Sequence, residues 1–196
     1  MSTALLIVGY ACGYGLFAGF FIVEHFVRQG DNTKNMSRTG YDKGSTTAVS
    51  VAMGTAFVIV PLAPLWNWWH IGPRLAWWAA LIGVVVGAAG LVIRYQAFST
   101  LGRFFTRTLR EQPEHALVTT GIYALVRHPG YLSDLLIFIG AALAMRHLIT
   151  VAVVVVLFIP AYVYRIHVEE QMLTSLFGAD YKAYQARSKR LLPHIW

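Results

Sequence analysis

The sequence predicts an all-α protein that crosses a membrane several times, and two observations support this. Of its 196 residues, 57% are hydrophobic and only 13% are charged, which is about half the charged share of ordinary soluble domains. The apolar residues also form long runs without charge, and a helix needs about 20 such residues to cross a bilayer. This composition excludes a disordered chain, and the single cysteine, Cys12, excludes a disulfide framework.

Five apolar runs are predicted to be spanning helices. The first lacks a basic start and a small-residue cleavage site, which argues against a cleaved signal peptide. A short turn flanked by tryptophans, which are typical of span ends, separates the second run from the third. The fourth and fifth runs are short and are predicted to form a tight helical hairpin near the C-terminus. In chain order the runs cover residues 4–23, 45–69, 75–93, 131–145 and 148–164.

The basic residues predict how the chain is oriented. If the N-terminus lies outside, only Arg74 and Arg146 of the 16 Lys and Arg residues fall on the outer side. Positive charge collects on the cytoplasmic side of membrane proteins, so we expect the C-terminus in the cytoplasm. In a prokaryote this would be the inner cell membrane. The asymmetry also explains the pI of about 9.8, so no nucleic-acid partner is expected.

The second half of the chain carries residues that a bilayer does not explain. Residues 114–131 read EHALVTTGIYALVRHPGY, and Pro129 is typical of the first turn of a helix. The free amides of a helix start attract anions, and Arg127 and His128 stand next to this one. The alternative is an interfacial anchor made of Arg, His and Tyr side chains.

Other ionisable residues occur near membrane depth. Arg165 and Glu169 are four residues apart, so they share one helical face, either as a surface ion pair or as part of a site. Asp134 lies about one turn into the fourth run and should face the bundle interior, paired or protonated. A structural partner and a substrate contact are both open for it. No pair of histidines has the spacing of a zinc site, so no metal is expected.

Glycines are expected to have two roles. Gly83, Gly87 and Gly90 recur along the third run, a pattern typical of close helix packing in membranes. Gly178 is predicted to end a helix, after which a short final helix carries Tyr181.

The last 80 or so residues resemble the isoprenylcysteine carboxyl methyltransferase family, including its short prokaryotic members. The family pattern is H-x-LV-x-x-G-x-Y-x-x-x-RHP-x-Y before a helical hairpin, then R-x-x-x-EE, FG-x-x-Y-x-x-Y and a basic residue before Pro. The matching residues are His115, Leu117, Val118, Gly121, Tyr123, Arg127, His128, Pro129, Tyr131, Arg165, Glu169, Glu170, Phe177, Gly178, Tyr181, Tyr184, Arg190 and Pro193.

The resemblance implies S-adenosylmethionine as the methyl donor. It implies a cytoplasmic cofactor pocket lined by His115, Ala116, Leu117, Val118, Tyr123, His128, Pro129, Gly130 and Tyr131. Glu169 would meet the donor's polar groups, and Arg165 would face the acceptor carboxylate; these two are the expected catalytic residues. Arg127 and Arg190 are expected to help bind the substrate. Residues 1–93 would then hold three N-terminal spans, and residues 94–196 the cofactor-binding methyltransferase region.

The acceptor stays open at this stage. The resemblance favours carboxyl methylation of a lipophilic, isoprenylcysteine-like small molecule or a prenylated protein, with membrane lipids as further partners. A phospholipid or a small thiol is the alternative within the same class, and Ser133 stands where the family usually has glycine. Two other classes are open. One is an NADPH-dependent sterol-type reductase, which shares the G-x-Y…RHP-x-Y block but lacks R-x-x-x-EE…FG in this form. The other is a non-enzymatic protein that binds or moves a lipid.

Overall fold

The computed structural model describes residues 3–27, 41–102 and 117–192. Within these ranges the chain is helical and has no β-strand. A 3-10 turn at Gly121–Ala124 precedes α5. The α-helices are α1 (Thr3–Val27), α2 (Ser45–Ile59), α3 (Ala63–Trp68), α4 (Trp77–Leu101), α5 (Pro129–Ala144) and α6 (Leu148–Arg187). The predicted all-α class is confirmed.

Three of the described helices are long and apolar enough to cross a membrane. They are α1 from Ala4, α4 and α6, which confirms a membrane protein with several apolar helices. Two further apolar helices are shorter, α2 with 15 residues and α5 with 16. The count of five spans therefore stays a prediction. The tight hairpin is confirmed, because only three residues separate α5 from α6.

The second predicted span is wrong as a single helix. It is divided at residues 60–62, where α2 has ended and α3 has not begun. Pro61 lies in this break, and proline cannot supply the amide hydrogen bond that a continuous helix needs. Pro64 then stands in the first turn of α3, where a missing N–H costs nothing.

Two helices extend beyond their predicted ends. The third run was expected to end at residue 93, but α4 continues to Leu101 because Arg94 is buried and paired rather than exposed. The fifth apolar run was expected to end at residue 164 and its helix at Gly178, and α6 reaches Arg187. Gly178 interrupts it with non-helical angles of φ 50° and ψ −117°, a left-handed φ that glycine adopts without cost. The predicted break at Gly178 is confirmed.

Glycines bring the backbones of α4 and α5 into contact. A Cβ atom added at Gly140 would lie 2.5 Å from the backbone nitrogen of Gly87. One added at Gly83 would lie 2.4 Å from the nitrogen of Ala144, and one at Gly90 2.9 Å from that of Ile137. No side chain fits at such distances, so the close helix packing predicted for these glycines is confirmed.

The two ends of the helix bundle have different contents. At one end, the turn between α5 and α6 is held by backbone carbonyls: Asn67 donates to the Met145 carbonyl at 2.9 Å, and Arg146 donates to that of Leu75. At the other end lie the start of α2, the start of α5 and the second half of α6. Most of the residues expected to form the site lie at this second end.

Candidate active site

Tyr131 joins the two residues expected to be catalytic. Its hydroxyl donates to Glu169 Oε2 at 2.6 Å and accepts from Arg165 Nε at 3.0 Å. Arg165 and Glu169 follow each other by four residues on α6, so both face the start of α5. The three side chains therefore form one polar group.

The start of α5 sets the position of Tyr131. Pro129 is in the first turn and His128 is the N-terminal capping residue, which places Tyr131 within one turn of the helix start. The His128 and Tyr131 rings stack with centroids 5.7 Å apart. His128 Nδ1 lies 3.8 Å from Glu169 Oε2, so this carboxylate has groups from two adjacent motif residues beside it.

Asp42, which the sequence analysis did not single out, contacts the Arg165 guanidinium. Its Oδ1 accepts from Arg165 Nη1 at 2.9 Å. Asp42 is 1% exposed, and burial alone would raise its pKa. Hydrogen bonds from the hydroxyl and amide of Thr46 and the charge of Arg165 outweigh burial, so the pKa of Asp42 lies below its ordinary value. The carboxylate is therefore ionised at neutral pH.

Glu170 is bound by three side chains that were expected to act elsewhere. Its Oε1 accepts from Arg127 Nε at 2.9 Å and lies 3.3 Å from His128 Nε2. Its Oε2 accepts from Arg190 Nε at 3.0 Å. Both arginines expected to bind substrate thus contact Glu170 here, and a substrate-binding role for them stays a prediction.

Arg127 also ties the C-terminal segment to the segment before α5. Arg127 Nη1 donates to the carbonyl oxygens of Ser188 and Gln185, and its amide donates to the Lys189 carbonyl at 2.7 Å. The amide of His128 donates to the Arg190 carbonyl at 3.0 Å. Residues 188–190 therefore pair with residues 125–128 and enclose Glu170.

We expect Glu170→Gln to loosen this C-terminal segment. The amide keeps the shape of the carboxylate but loses the charge that holds two arginines, and hydrogen bonds to charged groups contribute about 1.5–3 kcal/mol each. Limited proteolysis should release the residues after Gly178 faster than in the wild type. The exposed residue Asp180 offers the control: Asp180→Asn should not change the rate. Equal rates for Glu170→Gln and the wild type would contradict this role.

The expected adenosine-pocket residues are placed only in part. His115 and Ala116 lie outside the described residues, as does Pro193. Val118 packs on the cluster that contains Tyr123 and Phe98, and Leu117 is half-buried next to it. Burial and the charge of Glu169 raise the pKa of Tyr123.

Asp134 is paired, as predicted for an acid at that depth. It and Glu24 both form ion pairs with Arg94, which is 1% exposed, and Tyr162 donates to Asp134 Oδ2 at 2.9 Å. The Arg94 guanidinium also lies over the Phe20 and Phe98 rings, 4.1 and 4.6 Å from their centroids. This Glu24–Arg94–Asp134 group connects α1, α4 and α5, which supports the structural alternative for Asp134.

Ser133 belongs to the same buried group. Its hydroxyl donates to the Gly130 carbonyl at 2.6 Å and accepts from Arg94 Nη1 at 3.3 Å. Ser133, which stands where the family usually has glycine, therefore forms hydrogen bonds inside the helix bundle.

Comparisons with known proteins point to one family. The profile of the isoprenylcysteine carboxyl methyltransferase (ICMT) family matches residues 80–175, a range that contains Tyr131, Arg165 and Glu169. Over this range the chain is similar to the ICMT family. A protein of Oryza sativa subsp. indica, named "Probable protein-S-isoprenylcysteine O-methyltransferase", is 37% identical over 122 residues, which are 61% of this chain and 63% of that protein.

Two further similar proteins extend the comparison. "Protein-S-isoprenylcysteine O-methyltransferase A" of Arabidopsis thaliana is 32% identical, covering 58% of each chain. The solved structure of a eukaryotic intramembrane Ras methyltransferase ICMT matches with a TM-score of 0.62 and 23% identity, over 98% of this chain and 73% of that one, which shows a shared fold. The chain spans less than two thirds of the length of the plant relatives.

Proposed function

We propose that this protein transfers a methyl group from S-adenosylmethionine to the carboxylate of a lipophilic, isoprenylcysteine-like acceptor at the membrane. The observation that carries the proposal is the contact of Tyr131 with both Arg165 and Glu169. Tyr131 thereby holds both Arg165, the cation proposed to bind the acceptor, and Glu169, the anion proposed to bind the cationic donor. Named relatives in the same family support the reaction class.

The residues present fit S-adenosylmethionine, which carries a sulfonium and an ammonium group. The Glu169 side chain is 23% exposed, whereas that of Glu170 is 7% exposed and is bound by three side chains. Glu169 is therefore the carboxylate that a cationic ligand can reach. The Tyr181 hydroxyl is buried without a hydrogen-bond partner among the described residues, and a polar ligand atom would satisfy it. Leu117, Val118, Tyr123 and the turn at residues 128–131 would complete the pocket.

Arg165 would orient the acceptor. A carboxylate with a pKa near 4 is already ionised at pH 7 and needs no general base, but it must be held in line with the methyl group. The guanidinium suits that task because it is always charged and presents several N–H donors in a fixed plane. When bound, S-adenosylmethionine supplies the methyl group: the carboxylate oxygen bonds to the methyl carbon while the carbon–sulfur bond breaks and sulfur keeps its electron pair.

The site's place in the bundle suits a lipid-tailed acceptor. Tyr131 lies at the start of α5, and Arg165 lies where the apolar first part of α6 ends. An acceptor could therefore enter sideways from the bilayer while the soluble donor arrives from water. We propose that this end faces the cytoplasm, with the N-terminus outside, as the basic residues predict. In a prokaryote, the inner cell membrane would be the location.

The direct test is a methylation assay on protein in lipid nanodiscs with radiolabelled S-adenosylmethionine and N-acetyl-S-farnesylcysteine. A methyl ester releases labelled methanol in base, whereas methylated amines and thioethers do not. We expect base-labile label with this acceptor, and none with its carboxamide or with N-acetylcysteine, which lacks the lipid.

Other results, from this assay or from binding calorimetry, would support a different function. Base-stable label on phospholipid or on a small thiol would replace the acceptor within the methyltransferase class. Calorimetric binding of NADPH without binding of S-adenosylmethionine would overturn the class and favour a reductase. Binding of neither, in discs that retain folded protein, would favour a lipid-binding protein.

Glu169→Ala should weaken binding of S-adenosylmethionine. Loss of a hydrogen bond or ion pair to a charged group costs about 1.5–3 kcal/mol, so we expect the Kd to rise roughly 10- to 100-fold. Calorimetry measures this directly, with Asp180→Ala as the control acid on the same helix. An unchanged Kd would remove Glu169 from the donor site.

A further inference from the structure

The start of α2 forms a polar cradle around one end of the Arg165 side chain. We define the cradle as Asp42, Ser45 and Thr46. Arg165 Nη1 lies 2.9 Å from Asp42 Oδ1, 3.0 Å from Ser45 Oγ and 2.8 Å from Thr46 Oγ1. Ser45 is fully buried and Asp42 nearly so. The Asp42 and Ser45 oxygens therefore meet the guanidinium without competition from bulk water, and the half-buried Thr46 hydroxyl adds a third contact.

The cradle is held rigid by its own helix. Asp42 Oδ1 accepts from Ser45 Oγ at 3.2 Å, from the Thr46 amide at 3.1 Å and from the Thr46 hydroxyl. The Ser45 amide donates to the Asp42 carbonyl at 2.8 Å. Moving the carboxylate away would break several buried hydrogen bonds at once, so Asp42 is a fixed partner of Arg165 rather than a displaceable one.

The cradle is also fastened to α6 on both sides of Arg165. Tyr164 donates to the Lys43 carbonyl at 2.6 Å, and Lys43 Nζ donates to Gln171 Oε1 at 3.0 Å. Lys43 has a φ of 45° and Gly44 one of 81°, so the turn uses the left-handed region at two consecutive residues. A non-glycine residue held there is strained, and such strain persists only where surrounding contacts enforce it.

Tyr131 holds the guanidinium at a second point. Its hydroxyl accepts from Nε while the cradle accepts from Nη1. Two anchors on different nitrogens of a planar group fix both its position and its rotation. The orientation of Arg165 is thus set jointly by α2 and α5, although its chemistry belongs to the α6 motif.

We propose that Asp42 is a positioning residue for methyl transfer, which holds the Arg165 guanidinium in the orientation that receives the acceptor carboxylate. This proposal rests on the proposed function, because it takes Arg165 as the acceptor-binding group. Asp42 lies outside the segment with the family pattern, and it acts through Arg165 rather than on the substrate.

Kinetics of Asp42 variants in nanodiscs test the proposal. A misplacement of about 1 Å in a catalytic group can cost about 10²-fold in rate, so Asp42→Ala should lower kcat/KM for N-acetyl-S-farnesylcysteine by about that factor. Asp42→Asn, which keeps one acceptor oxygen, should lose less. The Kd of S-adenosylmethionine should change less than about threefold, which is well under the roughly 1.4 kcal/mol that corresponds to a tenfold change. Asp180→Ala is the matched control and should behave as wild type.

A double-variant cycle separates positioning from general stability. If Asp42 acts through Arg165, its removal on an Arg165→Lys background should change kcat/KM less than about twofold, because coupled residues are not additive. An equal loss on both backgrounds would overturn the proposal, as would full activity of Asp42→Ala.

A spectroscopic measurement covers the case in which the proposed function itself fails. If wild-type protein methylates no carboxylate acceptor, the proposed function is wrong, and the cradle is tested by ¹⁵N NMR of labelled arginine. The Arg165 signal is assigned by its loss in Arg165→Lys. Slow guanidinium rotation in the wild type, faster in Asp42→Ala but not in Asp180→Ala, supports the cradle. Unchanged rotation in Asp42→Ala overturns it.

Discussion

Arg165→Ala is expected to abolish methyl transfer while largely sparing donor binding. Removing one preorganised group that stabilises charge in a transition state costs about 10²–10³-fold in rate, and Arg165 would also hold the acceptor. The donor faces Glu169 instead, so its Kd should stay within a few-fold of wild type. The measurements are turnover with N-acetyl-S-farnesylcysteine and calorimetric binding of S-adenosylmethionine.

Two companion variants make the Arg165 result interpretable. Alanine leaves Asp42 buried without its cation, which threatens folding. Arg165→Lys keeps the charge but cannot reproduce the planar donors that Tyr131 and Asp42 hold in place, so it should fold and still lose most activity. Arg187→Ala removes an exposed cation from the same helix and should be neutral. Turnover retained by both Arg165 variants would take this residue out of the acceptor site.

Arg94→Met is expected to give the largest loss of stability. It leaves Glu24 and Asp134 facing each other inside the bundle without their shared cation. Breaking a buried ion pair by removing one partner costs about 3–5 kcal/mol. Unfolding by sodium dodecyl sulfate in mixed micelles measures the free energy of unfolding, with Lys182→Met as the control for loss of an exposed cation.

Removing the whole charged group provides the sharper test. Replacing a complete buried charge cluster with apolar residues of similar size is often neutral. The triple variant Glu24→Leu, Arg94→Met, Asp134→Leu should therefore recover much of the stability that Arg94→Met loses. If the triple variant is no more stable than Arg94→Met alone, unpaired charge is not the cause of the loss.

The sequence pattern alone predicted the helical segments, and the predicted helix boundaries were wrong at only a few positions. Hydropathy located the apolar runs because each helix must present apolar side chains to lipid over most of its length. It failed at Pro61, where one run holds two helices, and at Arg94, where a charge taken as a span boundary is buried. At Pro61 the deciding factor is a missing backbone hydrogen bond, and at Arg94 it is a pair of ion pairs to residues on other helices; hydropathy registers neither.

What the sequence by itself determined about the site was the set of motif residues on α5 and α6. Spacing placed Arg165 and Glu169 on one face, whereas their contact with Tyr131 comes from the packing of α5 against α6. Only the tertiary structure decided that Asp42 meets Arg165 and that Glu170 takes Arg127 and Arg190. The contact of Arg127 with Glu170 joins residues that are 43 positions apart, and that of Arg165 with Asp42 joins residues 123 positions apart. Arg190 and Glu170 are only 20 positions apart, but the kink at Gly178 lies between them. Such pairs depend on how the helices pack against each other, and the spacing of residues along the sequence does not predict that packing.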